Sequence, residues 1–151
     1  MARLIMTPDR LESPERALFL AGGVTGCPDW QSEMIQRLSH TCWTLLNPRH
    51  ARYFEDLDWS AEQQIAWEFE HLRLAEAVLF WFPCETVCPI TLFELGAWSM
   101  TGKSIFVGVH PEYSRREDID VQMRLLRPEL RVVLNLTDLA AQASGYLERE
   151  L

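Results

Sequence analysis

The sequence lacks the features that mark most specialised classes of protein. Its longest apolar run, Ala77 to Pro83, is far below the roughly 20 residues that a bilayer demands, so no membrane partner is expected. The opening segment, Met1 to Pro14, carries Arg, Asp and Glu and lacks the apolar core of a signal peptide. Cysteine is sparse, four in 151 residues, which is too few for a disulfide scaffold; a soluble, cytoplasmic protein is expected. Cys84 and Cys88 are spaced C-x3-C without a second pair or a His cluster, so no metal is expected. Repeats, low-complexity tracts and Ser/Gly linkers are all missing, and the length suits one domain over 1–151. Positive charge is also in deficit. With 14 Lys+Arg against 22 Asp+Glu the formal charge is -8, which argues against a nucleic-acid polymer or an anionic membrane surface as the main partner. A small phosphorylated ligand needs only a few backbone N–H groups and stays open.

What is present is an alternation of strand-length apolar runs with amphipathic stretches. Ala17-Leu18-Phe19-Leu20-Ala21, closed by Gly22-Gly23, reads as a buried strand. A helix is predicted over Pro28 to Ser39, with Trp30, Met34, Ile35 and Leu38 on one face. Cys42 to Leu46 forms a second strand, stopped by Asn47-Pro48, and a polar, aromatic connection covers Arg49 to Asp58. Ser60 and Gln63 make a capping box for a helix reaching about Leu74. Glu76 to Phe82 is the strongest strand, followed by a helix from about Pro89 to Gly102. Further strands are predicted at Ser104 to Val109 and Leu130 to Leu136, then a helix capped by Thr137. This pattern predicts an α/β fold: a doubly wound, flavodoxin-like, five-stranded parallel sheet of order 2-1-3-4-5 with helices on both faces. Ligands of such sheets sit beyond the strand C-termini where the first and third strands diverge, here the loops Gly22 to Asp29 and Pro83 to Thr91.

Several residues near those loops have chemistry to offer. Glu94 stands among Leu92, Phe93, Leu95 and Ala97, and a buried carboxylate is costly unless it is paired or used. The nearby helix N-terminus is expected to favour its ionised, nucleophilic form; a plain helix-face Glu is the alternative. Glu68 on the preceding helix is its candidate partner, because two carboxylates on one pocket are the equipment for glycosidic cleavage. Gly22 and Gly23 permit close backbone approach but do not spell GxGxxG, so they argue poorly for a dinucleotide. Of six tryptophans, Trp30 is the favoured pocket wall because it follows the glycine loop. Asn47 and Arg49 end the second strand at the same edge; Arg49 suits a carboxylate or phosphate, or a salt bridge to Asp56 or Glu68. His110 and Tyr113 close the fourth strand and suit a polar ligand or a neighbouring subunit.

Phe19-Leu20-Ala21-Gly22-Gly23, Asn47-Pro48-Arg49, Gln64-Ile65-Ala66-Trp67-Glu68 and Phe93-Glu94-Leu95-Gly96, followed by Gly102-Lys103, stand in an order that resembles the nucleoside 2-deoxyribosyltransferase family. The likeness is to its 2-deoxyribosyltransferase-like branch, runs from about Ala17 to Leu136, and includes Phe80-Trp81-Phe82-Pro83-Cys84-Glu85-Thr86. The resemblance implies the flavodoxin-like fold, no cofactor, and a homo-oligomer whose neighbouring chains complete each pocket. It implies attack of a Glu, matched by Glu94, on C1′ of a 2′-deoxynucleoside, and transfer of the sugar to a second base or to water. Glu68 matches a residue that is Asp in better-known members. Phe19 stands where transferases carry a Tyr that orients the nucleophile. Cys88 stands where Asp or Ser is expected and is a candidate substrate contact. The leading expectation is therefore an N-glycosidic bond transferase or hydrolase acting on a small-molecule nucleoside or nucleotide. The alternative is a non-catalytic nucleotide-binding module on the same fold.

Overall fold

The computed structural model describes residues 1–13, 15–52, 56 and 58–150; residues 53–55 and 57 of the predicted Arg49–Asp58 connection lie outside them. The elements run β1 (Arg3–Met6), β2 (Ala17–Gly22), α1 (Trp30–Arg37), β3 (Thr44–Asn47), α2 (Ala61–Leu74), β4 (Ala77–Phe82), α3 (Pro89–Ser99), β5 (Ser104–Val109), α4 (Arg116–Leu126) and α5 (Leu136–Arg149). The five strands form one sheet of order β1-β3-β2-β4-β5, and every pairing is parallel. This is the expected flavodoxin-like α/β architecture, but its order is 1-3-2-4-5 and not the expected 2-1-3-4-5, because the fifth strand lies at the N-terminus beside β3.

Period-two alternation in the central strands decides which helix packs where. Ala17, Phe19 and Ala21 of β2, with Val78, Phe80 and Phe82 of β4, face a core shared with Trp67 and Leu72 of α2, Leu95 of α3, and Ile119 and Met123 of α4. Leu18 and Leu20, with Ala77, Leu79 and Trp81, face the opposite core with Trp30 and Met34 of α1 and Leu139, Ala143 and Leu147 of α5. Both faces of β2 and β4 are covered, which is why their sequences read as unbroken apolar runs. Truncating a fully buried aromatic such as Phe19 or Phe80 removes about 3–5 kcal/mol from a core of this kind.

The capping box forms as predicted: Gln63 N donates to Ser60 Oγ at 3.1 Å, and Ser60 N donates to Gln63 Oε1 at 2.8 Å. Asp29 caps α1 by accepting from Ser32 N at 3.1 Å. Four points of the sequence reading need correction. The sheet gains an edge strand, β1, whose burial is irregular and whose Arg3 and Leu4 are exposed, so it carries no periodic signal. Leu130 to Leu136 is not a strand: only Val133 bridges to Gly108, because Asn135 has already turned away to cap α5, accepting from Asp138 N at 2.7 Å. Asn135, not Thr137, is therefore the cap. Finally, α4 has no counterpart in the sequence reading, since only Ile119 and Met123 are buried on it amid charged neighbours.

Candidate active site

All five strands end at one edge, at Met6, Gly22, Asn47, Phe82 and Val109. The chain crosses from β2 to β3 on one side and returns to β4 on the other, so the loops after β2 and β4 part and leave a crevice. A cavity of about 880 Å³ fills it.

Its floor is the glycine loop. A Cβ on Gly22 would lie 2.5 Å from the Trp81 carbonyl oxygen and 2.4 Å from the Trp30 ring. A Cβ on Gly23 would lie 2.5 Å from Cys27 Sγ and 2.8 Å from Cys88 Sγ. Gly22 requires glycine because a backbone carbonyl fills that space, whereas a side chain at Gly23 would have to displace the two sulfurs. Trp30 does not line the cavity. It is 3% exposed and donates its indole N–H to the Gly23 carbonyl at 3.0 Å, bracing the loop from beneath. The tryptophan on the cavity wall is Trp59, whose placement just ahead of the Ser60 cap was the available signal.

Asn47 is buried and does not line the cavity either; its Oδ1 accepts from Arg49 N at 3.0 Å and shapes the turn. Arg49 does line it, but its guanidinium is largely engaged. Nε donates to Gln31 Oε1 at 2.7 Å and Nη2 to the Pro28 carbonyl at 2.8 Å, with Asp29 Oδ1 3.1 Å away. Asp29, rather than Asp56 or Glu68, is its acidic partner, while Asp56 pairs with His50 at 3.1 Å. These bonds tie the end of β3 to the start of α1.

Glu68 and Glu94 both face the cavity and are half-buried. On α2, Glu68 lies one turn after Gln64, whose Nε2 donates to the Pro48 carbonyl at 2.7 Å and whose Oε1 accepts from Trp59 Nε1 at 2.8 Å. Gln64 is thus a fixed hinge between Trp59, the β3 turn and Glu68; its i, i+4 spacing to Glu68 was legible. Burial pushes the Glu68 carboxyl up to about 7, opposed by the Gln64 amide. Burial, and then the charge of Glu68, push Glu94 up to about 8. The expectation that the helix N-terminus holds Glu94 ionised is overturned: it sits past the first turn of α3, where the dipole has faded and desolvation dominates. With values of about 7 and about 8, the pair keeps at least one proton at neutral pH, and Glu94, the higher of the two, holds it more firmly. Phe19 is 1% exposed and packs on Trp67 with ring centroids 6.1 Å apart. Among the described residues no side chain donates a hydrogen bond to Glu94.

Cys88 caps α3 at the cavity wall with a left-handed φ of 50°. Tyr113 and His110 lie off the cavity. Tyr113 is buried and donates its hydroxyl to the Val87 carbonyl, fixing the loop ahead of Cys88. The His110 Nδ1 accepts from Glu112 N at 3.1 Å. Cys84, His110 and Glu112 bring ligand atoms within 4.8 Å of one another, but His110 Nδ1 is already occupied by that backbone contact. The Gly102-Lys103 motif proves to be architectural. Lys103 Nζ donates to the carbonyls of Leu72 at 2.8 Å, Arg73 at 3.0 Å and Ala75, capping the end of α2.

No helix among the described residues is long and apolar enough to cross a membrane. The family model described as "Nucleoside 2-deoxyribosyltransferase like" matches residues 15–113. No curated protein matches the chain. The matched stretch contains β2 through β5, and with them the glycine loop and both cavity carboxylates.

Proposed function

Because the chain belongs to the nucleoside 2-deoxyribosyltransferase-like family, we propose that it is an enzyme that cleaves or transfers the N-glycosidic bond of a (2′-deoxy)nucleoside or nucleotide. Glu94 is the nucleophile and Glu68 the proton donor, and the whole chain acts as one catalytic domain. The observation that carries this reading is the pair of half-buried carboxylates facing one cavity; attack needs the proton on Glu68, the less populated arrangement of the singly protonated pair, because Glu94 has the higher value. Ionised Glu94 attacks C1′ as the C1′–N bond breaks. Glu68 gives its proton to the departing base nitrogen, leaving a glycosyl ester on Glu94. A second base or water then attacks C1′ and yields its proton to Glu68, and the Glu94 carboxylate departs. In this reading the glycine loop and Trp59, which line the cavity, receive the sugar and the flat base, with Arg49 and Cys88 on the surrounding wall.

The test is incubation with 2′-deoxynucleosides and their 5′-monophosphates, with and without a second free base, followed by chromatography. Base release or exchange that vanishes in Glu94→Ala supports the proposal; full turnover by that variant overturns it. A second reading, a binding module without turnover, draws on Phe19, which carries no hydroxyl to orient Glu94. Tight binding of an unchanged nucleotide with no base released would favour it.

We further propose a homo-oligomer in the cytoplasm. Ile65 and Phe69 of α2 and Ile90 and Phe93 of α3 are each at least 63% exposed beside the cavity, an apolar face suited to a second copy. Sedimentation showing only monomer would remove that part. The four cysteines are unpaired, in keeping with a reducing compartment.

A further inference from the structure

Cys27 and Cys88 belong to different loops, one after β2 and one after β4, yet their sulfurs converge. Both crowd the space beside Gly23, at 2.5 and 2.8 Å from the point where a side chain would begin. Both also reach one hydroxyl, Thr86 Oγ1, at 3.5 Å from Cys27 Sγ and 3.3 Å from Cys88 Sγ. Neither thiol has a role in the glycosyl chemistry above that needs the other. Cys27 is half-buried and reachable, whereas Cys88 is 4% exposed. Cys88 is also the residue from which α3, the helix carrying Glu94, departs.

We propose that Cys27 and Cys88 are a reversible oxidation site, forming a disulfide that ties the glycine loop to the start of α3 beside the cavity. The oxidant class is a hydroperoxide. The Cys27 sulfur attacks one peroxide oxygen, the O–O bond breaks, and a sulfenic acid and one water form. The Cys88 sulfur then attacks the Cys27 sulfur, and its proton leaves with the departing hydroxyl as a second water. Two thiols are oxidised and one hydrogen peroxide is reduced to two waters. A dithiol reductant reverses the bridge by exchange. The bridge bears on function through position. It fixes Gly23, which lines the cavity, against the first residue of the helix that presents Glu94, and it takes both thiols away from Thr86.

The test needs no turnover, so its failure is separable from failure of the glycosyl reading. The full chain is treated with hydrogen peroxide, alkylated, digested without reduction and mapped by mass spectrometry. The expected product is one peptide pair joined through Cys27 and Cys88, with Cys42 and Cys84 alkylated, and dithiothreitol restores both free peptides. Amide exchange over residues 23–28 and 89–94 should slow by about tenfold in the oxidised form. Cys27→Ser, with Cys27→Ala as the second variant, should show neither the bridge nor the slowing. Bridging through Cys84 or Cys42, an alkylated Cys27 after oxidation, or a 27–88 bridge with unchanged exchange in both segments would each overturn the proposal.

Discussion

Glu68 faces Glu94 across a shared cavity, where its charge adds to burial in raising the proton affinity of Glu94. The sheet edge explains how. Glu68 rides on the helix that leads into β4 and Glu94 on the helix that leaves it, so the strongest strand of the fold holds the two groups together. If the reaction needs one carboxylate and one carboxylic acid, it runs only from the singly protonated pair. The rate against pH should be a narrow bell with limbs set by the values of about 7 for Glu68 and about 8 for Glu94. Single-turnover rates from pH 5 to 10 would measure it. A plateau that extends unchanged to pH 10 would rule out a proton on the pair.

The same two groups oppose folding at high pH. Their folded values lie above the ordinary 4.5, so the native state holds protons that the unfolded chain has lost. Their favourable contribution is complete below about 4.5 and disappears as the pH rises through 7 and 8. Glu94→Gln should therefore abolish turnover yet stabilise the protein at pH 9, by on the order of 3 kcal/mol, with an advantage that shrinks toward pH 5. Urea melts of both proteins at the two pH values would decide this; a variant less stable at pH 9 would contradict it.

Gln64 is the hinge on which the acid depends. Replacing it with Met keeps the volume but leaves the Trp59 indole N–H and the Pro48 carbonyl without their partner, at a cost of about 1–3 kcal/mol. The amide that draws the Glu68 value down is lost as well. The acidic limb of the pH–rate bell should then move upward while the alkaline limb moves less. A Gln64→Met profile that superimposes on the wild type would remove Gln64 from the positioning role.

How much of this was legible depends on whether a residue announces itself locally. β2 and β4 do, because strands covered on both faces need unbroken apolar runs, and the capping box does, because its two partners are three residues apart. The doubly wound topology then follows, and with it the location of the crevice. β1 and α4 do not, since one is four residues long and the other buries only two positions. The tryptophans show the limit within the site. Trp30 and Trp59 both stand beside loops that border the crevice, and only three-dimensional packing decides that the first braces Gly23 from below while the second faces the cavity. Glu94 shows it for electrostatics: sequence position suggests a helix dipole, but half-burial and a facing carboxylate outweigh it. Lys103 belongs to the segments that carry the family resemblance, and its role as a cap is visible only where the carbonyls at the end of α2 converge on its ammonium.

His71 weakens the fold in acid. It is fully buried and stacked on Trp67, with ring centroids 3.9 Å apart. Its Nε2 accepts from Leu11 N at 3.1 Å, and its Nδ1 lies 2.7 Å from the Trp67 carbonyl, so the neutral ring donates through Nδ1 and accepts through Nε2. A second proton would set N–H against N–H at Leu11. Burial accordingly draws the His71 value below the ordinary 6.5, outweighing the Trp67 carbonyl. The sign is opposite to that of the glutamates: the stabilisation is present above 6.5 and is lost as the pH falls below it toward the depressed folded value. Stability should rise as the pH drops from 9 to about 6.5 because the cavity carboxyls take up protons, and the His71 loss should offset that gain below. His71→Gln retains a donor and an acceptor without titrating, so its deficit relative to the wild type should narrow between pH 7 and pH 5. A deficit that stays constant over that interval would show that His71 holds Leu11 and Trp67 together without sensing protons.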